Sequence, residues 1–407
     1  MKPKKTTLKD YLLNILPEDK INLVNRSFEI VGSIAIIEIP EELDEFSTQI
    51  GEALLKVNSS IKTVLKKSGF HHGEFRTQDL VYVVGENTKE TIYLENGISL
   101  KINPETVYFS ARLSTERAEL MSNLKEGKRV LVMFSGAGPY SFVGLKKQPN
   151  LSSITSIELN PQGTKYSLKS LELNKNILKK SKIFKDLISF LREYKLPVIE
   201  KKLIQNLNLL KIHFINGDVT KEVDNFFLEK TTSLKEDSAL FDLDVKKTFL
   251  NLQNREKNEI SLDLDSMSLE EKEQLKFFLI YFADKFSFKV GVNSCWFLLN
   301  SNYEKGLLLE YLQYGFDFKD LVSFDEIFMP LPKDASLFLD SAFKVVKKGS
   351  VVHMYDFVAV EEFPQKTENS VLDAAKKFGV DVEIISTRKV GQYSPKKYRV
   401  CCDFRIC

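Results

Sequence analysis

The chain has 407 residues, of which 43% are hydrophobic and 28% are charged, and its formal net charge at pH 7 is +2. This is the composition of an ordinary soluble globular protein, and the length is enough for two or three domains. No stretch approaches the ~18 consecutive apolar residues of a membrane span, which excludes a membrane-spanning chain. The near-neutral charge permits an anionic partner, although any basic surface must then be local.

Cysteine usage and the N-terminus indicate a cytoplasmic protein. The cysteines lack the C-x-x-C pairs of a zinc site and the spacing of a secreted disulfide framework. They are Cys295, Cys401, Cys402 and Cys407. Near the N-terminus, Asn, Pro, Glu and Asp interrupt the apolar positions before any signal-like stretch accumulates. We therefore expect a cytoplasmic chain with no membrane partner.

The N-terminal quarter predicts a small α+β domain. A short helix over residues 8–16 should end at Pro17, and the alternating, β-branched stretch 28–39 predicts one or two strands. Residues 41–66 place apolar side chains at helical spacing and predict a helix. Further strands are expected at 80–84, 91–94 and 98–102, between turns that contain Gly and Asn. We expect this domain to span residues 1–105.

The second domain begins at a glycine loop. Residues 128–139 read KRVLVMFSGAGP, an apolar run that breaks into Ser-Gly-Ala-Gly. The run predicts a buried parallel strand, after which Gly136 and Gly138 let backbone N–H groups approach a ligand. A second short strand ends at Glu158, twenty residues beyond Gly138. In doubly wound sheets this pairing is typical of a nucleoside cofactor, whose ribose hydroxyls bind the carboxylate. A plain tight turn is the alternative reading of the glycines.

Residues 106–407 predict five strands that alternate with helices, followed by a closing pair of strands. The expected strands are Val130–Phe134, Ile154–Glu158, Ile212–Asn216, Glu326–Met329, Val351–Tyr355, Val382–Ser386 and Tyr398–Phe404. This order resembles the sheet of adenosylmethionine-dependent methyltransferases and predicts a Rossmann-like α/β domain. Two stretches exceed what such a domain needs, about 166–210 and about 220–322. We expect helical insertions there, with a helix beginning at Ser268 in the second.

Several motifs, in order along the chain, carry a family resemblance. They are LPEDKINLVNRSFEIVGSIAIIEIP (16–40), GEFRT (73–77), LENG (94–97), VYFSARLSTER (107–117), the glycine loop, MPLPKDA (329–335), VVHMYDF (351–357) and GQYSPKKYRVCCDF (391–404). Together they resemble the archaeal and eukaryotic tRNA (guanine-37-N1)-methyltransferases, which transfer a methyl group from S-adenosyl-L-methionine to N1 of the guanine 3′ of the anticodon. The resemblance implies a class I methyltransferase domain behind a small RNA-binding domain, with adenosylmethionine as cofactor and tRNA as partner.

The same resemblance implies two catalytic residues. N1 of guanine carries a proton near neutral pH, so its attack on a methyl group needs a base. The family's base, the Glu of the STER motif, falls on Glu116, and its Arg that hydrogen-bonds guanine O6 falls on Arg76. Without the resemblance, Glu116 is better explained as a first-turn helix carboxylate and Arg76 as a surface ion pair. Because the two lie in different expected domains, we expect the site at the domain junction.

The remaining implied residues divide between cofactor and RNA. The cofactor set is Phe134, Gly136, Ala137, Gly138, Glu158, Asp218 and Arg112. Asp218 is alternatively a helix N-cap. The RNA set is Tyr108, Arg117 and Pro330. Tyr108 would lie beside the target base, and its alternative role is that of a core aromatic residue. Arg117 would bind a phosphate or the cofactor carboxylate, and Pro330 would lie near the guanine.

Two positions depart from the family pattern and keep rival functions open. Val132 stands where many members have Asp, and Pro330 stands where many have Asn, which removes a side-chain amide and a backbone N–H. One rival is a wyosine-pathway enzyme that transfers a methyl or aminocarboxypropyl group at tRNA position 37. The other is an RNA-binding relative without turnover.

We expect a monomer that needs no metal. The four histidines, His71, His72, His213 and His353, are not spaced as ligands with any Cys or carboxylate cluster. Methyl transfer from a sulfonium does not require a metal, because the leaving group is already activated.

Overall fold

The computed structural model describes residues 7–25, 27–177, 212–224, 259–263, 287–290, 294–298, 323–331 and 335–407. The expected helix start at Ser268 lies outside these ranges, as do residues 178–211 of the first expected insertion.

An N-terminal unit consists of a four-stranded sheet covered on one face by helices. Its strands, in the order β1-β2-β3-β4, are β1 (Phe28–Val31), β2 (Ile34–Ile37), β3 (Thr63–His72) and β4 (Thr77–Gly85). Helices α1 (Leu8–Leu12) and α2 (Ser47–Val57) pack their apolar side chains on this sheet. Because α2 connects β2 to β3, these two strands are parallel, as a crossover connection requires.

The helix expected over residues 41–66 is wrong beyond Val57. Residues Glu41–Phe46 form a 3₁₀ helix that leads into α2, and α2 ends before Asn58. The side chain of Asn58 accepts hydrogen bonds from the backbone N–H and the hydroxyl of Ser60, at 3.0 and 2.8 Å. Asn competes with the helix for backbone groups in this way, and the chain turns into β3. Val64 therefore lies in a strand, where it is fully buried.

A hairpin joins the N-terminal unit to the rest of the chain. It is formed by β5 (Thr91–Glu95) and β6 (Ile98–Ile102). The backbone N–H groups of Ser99 and Lys101 donate to the side chains of Asn174 and Ser170, at 3.0 and 2.9 Å. These contacts group the hairpin with the second domain. We therefore propose that the domain boundary lies between β4 and β5 rather than at residue 105.

The second domain is built on a seven-stranded sheet. The remaining strands of the described residues are β7 (Arg129–Met133), β8 (Ser153–Glu158), β9 (Ile212–Asn216), β10 (Glu259–Asp263), β11 (Ser287–Val290), β12 (Ser294–Leu298), β13 (Phe324–Met329), β14 (Val346–Ala359), β15 (Val382–Ser394) and β16 (Lys397–Ile406). The order in the large sheet is β15-β16-β14-β13-β7-β8-β9. Strands β9, β8, β7, β13 and β14 are parallel, and the β15–β16 hairpin closes the edge in antiparallel pairing. The seven strands expected for this domain are confirmed, although the last three are longer than expected.

Helices cover both faces of this sheet. Those that follow the hairpin are α3 (Ser114–Ser122), α4 (Pro139–Lys147), α5 (Pro161–Leu173), α6 (Leu339–Lys344) and α7 (Gln365–Phe378). Alternate residues of β7 divide between two cores, Val130 and Val132 on the side of α3 to α5, and Leu131 and Met133 on the side of α6 and α7. A parallel strand buried on both faces explains why β7 reads as a continuous apolar run.

The second expected insertion contains strands where it is described. Strands β10, β12 and β11 form a separate antiparallel sheet in that order. The expectation of a purely helical insertion is therefore wrong for these residues. Their short β-branched and aromatic runs, EISLD and SCWFL, are typical of strands.

A buried ion pair joins α3 to the hairpin. Arg117 donates from Nε and Nη2 to the two carboxylate oxygens of Glu95, at 2.8 and 2.5 Å, and both side chains are at most 2% exposed. Two nitrogens of the same guanidinium contact the carbonyl of Ser110 at 3.2 Å. Because its donors bind groups inside the protein, Arg117 has a structural role in this fold. Its expected contact with RNA stays a prediction.

We predict that Glu95→Ala destabilises the fold by roughly 3–5 kcal/mol, because it leaves the Arg117 charge buried without its partner. Guanidinium unfolding would measure the change. The control is Glu383→Ala, which removes an exposed pair with Arg405 and should cost at most about 1 kcal/mol. Equal effects of the two substitutions would contradict the structural role given to the buried pair.

Candidate active site

A cavity of about 200 Å³ opens at the carboxyl ends of the parallel strands. It lies where the strand order reverses, since the chain runs from β7 to β8 and β9 on one side and from β13 to β14 on the other. Ligands of open α/β sheets bind at this switch point. The residues around it include Arg76, Tyr108, Ser110, Arg117, Phe134, Gly136, Tyr140, Glu158, Asn160, Asp218, Pro330 and Phe338.

The glycine loop forms one wall of this cavity in a left-handed conformation. Phe134, Gly136 and Gly138 have φ angles of 58°, 56° and 80°. At Gly138 a Cβ atom would come within 3.0 Å of the Phe214 ring and 3.1 Å of the Ser167 hydroxyl. The turn therefore needs glycine at this position both for its backbone angle and for its close packing. Ala137 and Gly138 do not line the cavity themselves and act by shaping the loop.

Glu158 lies at the end of β8 and is held by the glycine loop. Its carboxylate oxygens accept hydrogen bonds from the backbone N–H groups of Gly136 and Asn160, at 2.6 and 2.8 Å. Burial raises the pKa of Glu158, while these two hydrogen bonds act in the opposite direction. A Cβ atom on Gly163 of α5 would lie 2.7 Å from the Glu158 side chain. Three backbone segments thus fix one carboxylate at the cavity wall.

Asp218 caps a helix and also reaches the cavity. Its Oδ1 accepts hydrogen bonds from the N–H and the hydroxyl of Thr220, at 2.8 and 2.6 Å, at the start of the helical residues 219–224. The hydrogen bonds of Thr220 lower the pKa of Asp218, so it is ionised near neutral pH. The structure therefore gives Asp218 the N-cap role and the cavity position together.

Other lining residues come from the N-terminal unit and its connection to the second domain. Arg76 lies in the loop between β3 and β4 with φ at 50°, and its N–H donates to the carbonyl of Gly73 at 3.3 Å. Tyr108 precedes α3, and its hydroxyl is 3.5 Å from Nη2 of Arg399. Pro330 follows β13 directly. The cavity therefore lies between the two domains, and it brings Arg76 and Tyr108 to the same space as Gly136 and Glu158.

Besides Ala137 and Gly138, two expected site residues, Arg112 and Glu116, lie outside this cavity. Arg112 is exposed and does not contribute to the lining. Glu116 faces a second cavity of about 350 Å³, where its Oε1 accepts hydrogen bonds from the Tyr355 hydroxyl at 2.9 Å and from Nη2 of Arg388 at 2.6 Å. Tyr140 lies in the wall of the first cavity, and its ring centroid is 6.3 Å from that of Tyr355. The carboxylate of Glu116 is therefore hydrogen-bonded next to the first cavity and does not line it.

A charged network continues from Glu116 across the face of the sheet. Arg388 binds Glu116 and Asp403, and the imidazole of His353 lies between Asp403 and Glu326, at 2.7 and 2.9 Å. Burial disfavours the charged form of His353, but Asp403 and Glu326 outweigh that effect and raise its pKa above the usual value. Each carboxylate in the chain of contacts therefore has a donor or a cation beside it.

Sequence reasoning missed several residues of the first cavity, among them Asn160, Tyr140 and Phe338. Asn160 donates from its side chain to the carbonyl of Thr106 at 2.7 Å and accepts from Gln162 N–H as the N-cap of α5. The pair Asn160-Pro161, an N-cap followed by Pro at the first helical position, was a usable signal for it. Tyr140 and Phe338 reach the cavity through tertiary packing, which no local sequence pattern predicts. The ring of Phe338, for example, packs edge to face on that of Phe134, with centroids 4.8 Å apart.

The strand order, the glycine loop and the acid at the end of β8 define a Rossmann-like domain of the class I methyltransferase type. The comparison with known families agrees with this class and narrows it. The chain belongs to the family of the TRM5/TYW2 methyltransferase domain, whose model matches residues 91–227 and 305–384. Residues 8–88 match the TYW2 N-terminal domain. The two matches meet between β4 and β5.

Curated relatives are similar over different shares of their length. The chain is 41% identical to the tRNA (guanine(37)-N(1))-methyltransferase Trm5b of Pyrococcus abyssi over 160 residues, which cover 39% of this chain and 48% of that protein. It is 29% identical to the tRNA (guanine(37)-N(1))/4-demethylwyosine(37)-methyltransferase Taw22 of Nanoarchaeum equitans over 375 residues, covering 92% of this chain and 97% of that protein. The match to Trm5b therefore spans about half of that relative, whereas the match to Taw22 spans nearly all of it.

Solved structures share the fold. Trm5b from Pyrococcus abyssi aligns with a TM-score of 0.59 and 24% identity, over 100% of this chain and 81% of that one. TYW2 from P. horikoshii, in complex with MeSAdo, aligns with a TM-score of 0.56 and 17% identity, over 98% and 97%. Within the described ranges, no helix is long and apolar enough to cross a membrane. The same ranges contain no group of three or more His, Cys, Asp and Glu residues that could hold a metal ion.

We predict that His353 makes the stability of the fold depend on pH. Because its folded-state pKa is raised, the stability that protonated His353 contributes is fully present below the unfolded value of about 6.5 and is lost as pH rises through the folded value. The difference in unfolding free energy between the parent and His353→Asn should therefore shrink with rising pH. A difference that stays constant across this range would contradict the prediction.

Proposed function

We propose that the protein methylates N1 of guanine 37 in tRNA, with S-adenosyl-L-methionine as the methyl donor. The observation that carries this proposal is the single cavity that holds the glycine loop and Glu158 on one side and Arg76 on the other. The glycine loop and Glu158 suit a nucleoside cofactor, and Arg76 offers a positive charge to a nucleobase. Membership of the TRM5/TYW2 family supports the reaction class.

The residues around the cavity fit adenosylmethionine. The carboxylate of Glu158 is fixed by two backbone donors, which leaves its remaining lone pairs for ribose hydroxyls. The left-handed loop at Gly136 keeps side chains away from the methionyl end. Asp218 and Phe338 contribute to the lining near the place proposed for the adenine. The cofactor, when bound, supplies a methyl group on a sulfonium that needs no further activation.

On the guanine side, we assign the roles of base and oxyanion donor to Glu116 and Arg76. As N1 loses its proton to Glu116, negative charge develops on O6, where the guanidinium of Arg76 can stabilise it. Tyr108 lies at the same wall and offers a ring for stacking on the base. The connection between the domains thus supplies the groups that recognise guanine.

Glu116 must change partners to act as this base. In the structure its Oε1 is bound by Tyr355 and Arg388, and burial raises the pKa of Tyr355, which keeps that phenol a proton donor. We propose that the side chain turns from these donors toward guanine N1 when RNA fills the cavity. Arg117, on the same helix, remains fixed by Glu95, so the turn involves the Glu116 side chain and not the whole helix.

The departures from the family pattern have limited structural effect. Val132 is fully buried in the middle of β7 and belongs to the core between the sheet and α3 to α5. Pro330 lines the cavity and keeps its backbone carbonyl as an acceptor, although it offers no N–H. Neither change removes Arg76, Glu116 or Glu158, which argues against an RNA-binding relative without turnover.

A second candidate function rests on the relative that matches along almost the whole chain. The name of Taw22 from Nanoarchaeum equitans gives two methyltransferase activities, one on guanine 37 and one on 4-demethylwyosine 37. The N-terminal match to a TYW2 domain points the same way. We therefore propose 4-demethylwyosine at position 37 as the second substrate to test.

We predict that the purified protein forms 1-methylguanosine at position 37 of a tRNA transcript with guanine there. Mass spectrometry of nucleosides, with methyl-labelled adenosylmethionine, would measure it. The matched control is the same transcript with adenine at position 37, which should stay unlabelled. Label at another position, or an aminocarboxypropyl adduct, would contradict the proposal. A tRNA that carries 4-demethylwyosine tests the second candidate in the same assay.

We predict that Glu158→Ala weakens the binding of adenosylmethionine by roughly 1.5–3 kcal/mol, the worth of a hydrogen bond to a charged group in a closed site. Calorimetric titration of the folded variant would measure the loss. Glu172→Ala, on the exposed side of α5, makes the same chemical change away from the cavity and should bind as the parent does. Unchanged affinity in Glu158→Ala would show that the ribose lies elsewhere.

We predict that Glu116→Gln slows single-turnover methyl transfer by ~10²-fold or more, because the amide keeps the shape but cannot accept the proton. Affinity for tRNA and for adenosylmethionine should barely change. Raising the pH toward the pKa of guanine N1 should partly restore this variant and should not restore Glu158→Ala. The control is Glu119→Gln, one turn along α3, which should transfer at the parent rate. If Glu116→Gln also does so at every pH, the base is another group.

A further inference from the structure

The three longest strands of the large sheet continue beyond its parallel part. Strand β13 ends at Met329, opposite Met354 of β14, and β14 continues to Ala359 paired only with β16. These five further residues extend about 16 Å at the usual rise of a strand. Residues 356–359 and the hairpin 389–400 thus form a three-stranded projection, here called the arm. Because β14 is parallel to β7, the arm extends at the carboxyl edge, where the first cavity opens.

The arm is strongly basic. Residues 389–400 contain four cations, Lys389, Lys396, Lys397 and Arg399, and no acid. The first three are exposed. Of the acids near the arm, Asp356 accepts a hydrogen bond from Thr367 of α7 at 3.1 Å, and Glu362 binds Lys366 of α7 at 2.9 Å. Glu361 is exposed beside them. In a chain of net charge +2, this is a local basic surface of the kind that an anionic partner needs.

Aromatic rings alternate with these cations. Tyr393, 62% exposed, packs on Phe357 with ring centroids 4.1 Å apart. Lys389 lies over the Tyr398 ring at 4.0 Å, and Arg399 lies over the Phe357 ring at 5.4 Å. An exposed ring supported from behind, with cations around it, is how proteins bind bases and phosphates of single-stranded nucleic acid.

The arm is also connected to the first cavity. Nη2 of Arg399 lies 3.5 Å from the hydroxyl of Tyr108, which lines that cavity. The Nε atom of the same side chain is buried and has no hydrogen-bond partner among the described residues. The side chain as a whole is partly exposed, and a guanidinium suits a phosphate because it offers paired N–H donors.

We propose that the arm binds the single-stranded loop of the RNA substrate, with Lys396 and Lys397 on backbone phosphates and Tyr393 under an unstacked base. This inference rests on the proposed function for the identity of the RNA, but the contact itself does not depend on turnover. Arg399, between the arm and Tyr108, would bind a phosphate close to the target base.

The test compares two lysine pairs of the same domain. Lys396→Ala/Lys397→Ala removes two charges from the arm, and Lys376→Ala/Lys377→Ala removes two exposed charges from the last turn of α7. The probe is an anticodon stem-loop transcript with guanine 3′ of the anticodon, titrated across a series of salt concentrations. Because each phosphate contact to a single strand contributes about 0.7 to the slope of log affinity against log salt, the arm variant should lower that slope by about 1.4 and bind roughly 10- to 30-fold more weakly at 0.1 M salt. The α7 variant should match the parent in both quantities.

Tyr393 provides an independent readout that charge does not affect. Tyr393→Ala should weaken binding about 5-fold or more through lost stacking, and Tyr393→Phe should restore it, because the ring is kept. Affinity for adenosylmethionine should be unchanged in every arm variant, which also shows that each one folds.

The outcomes separate this inference from the proposed function. If the two lysine variants bind the stem-loop equally, or if the salt slope of the arm variant stays at the parent value, the arm is not an RNA contact and a protein partner becomes the alternative. If RNA binding depends on the arm but the parent forms no methylated nucleoside, the inference stands and the proposed function fails.

Discussion

The buried pair of Arg117 and Glu95 is the interaction on which the candidate active site depends. Both charges are out of solvent and satisfy each other through two hydrogen bonds, so neither can be removed without leaving the other unpaired. The same guanidinium binds the carbonyl of Ser110, which fixes the segment between Tyr108 and α3. One side chain thereby positions the β5–β6 hairpin, the first turn of α3 and a wall of the cavity. The pair therefore fixes this wall within the second domain.

The cavity combines two kinds of construction. On the cofactor side, backbone groups do most of the holding, as with the N–H groups of Gly136 and Asn160 on Glu158. On the side proposed for the guanine, side chains come from separate parts of the chain. Next to the cavity, Glu116 is bound by Tyr355 of β14 and Arg388 of β15. A backbone cradle is rigid and suits a cofactor that is the same in every turnover. Side chains that can exchange partners suit a substrate that arrives as part of a large RNA.

The sequence predicted what local chemistry determines. An apolar run that is buried on both faces identifies β7, and glycines that need a left-handed backbone identify the loop between β7 and α4. The expected helix over 41–66 failed at Asn58, where a side-chain turn overrides helical spacing. Arg117 and Glu116 are adjacent and both polar, yet one is buried against Glu95 and the other binds Arg388. Those partners are set by the tertiary fold, and nothing in the local pattern indicates them.

The length of β14 has a consequence for how a substrate position could be selected. One uninterrupted strand runs from the middle of the sheet into the arm, so no hinge separates the arm from the cavity. An RNA that contacts both must present a base and a distant stretch of backbone at a separation that the protein fixes in advance. The nucleotide that reaches the cavity is then determined by distance along a folded loop, and the protein can choose it without recognising the sequence of its neighbours.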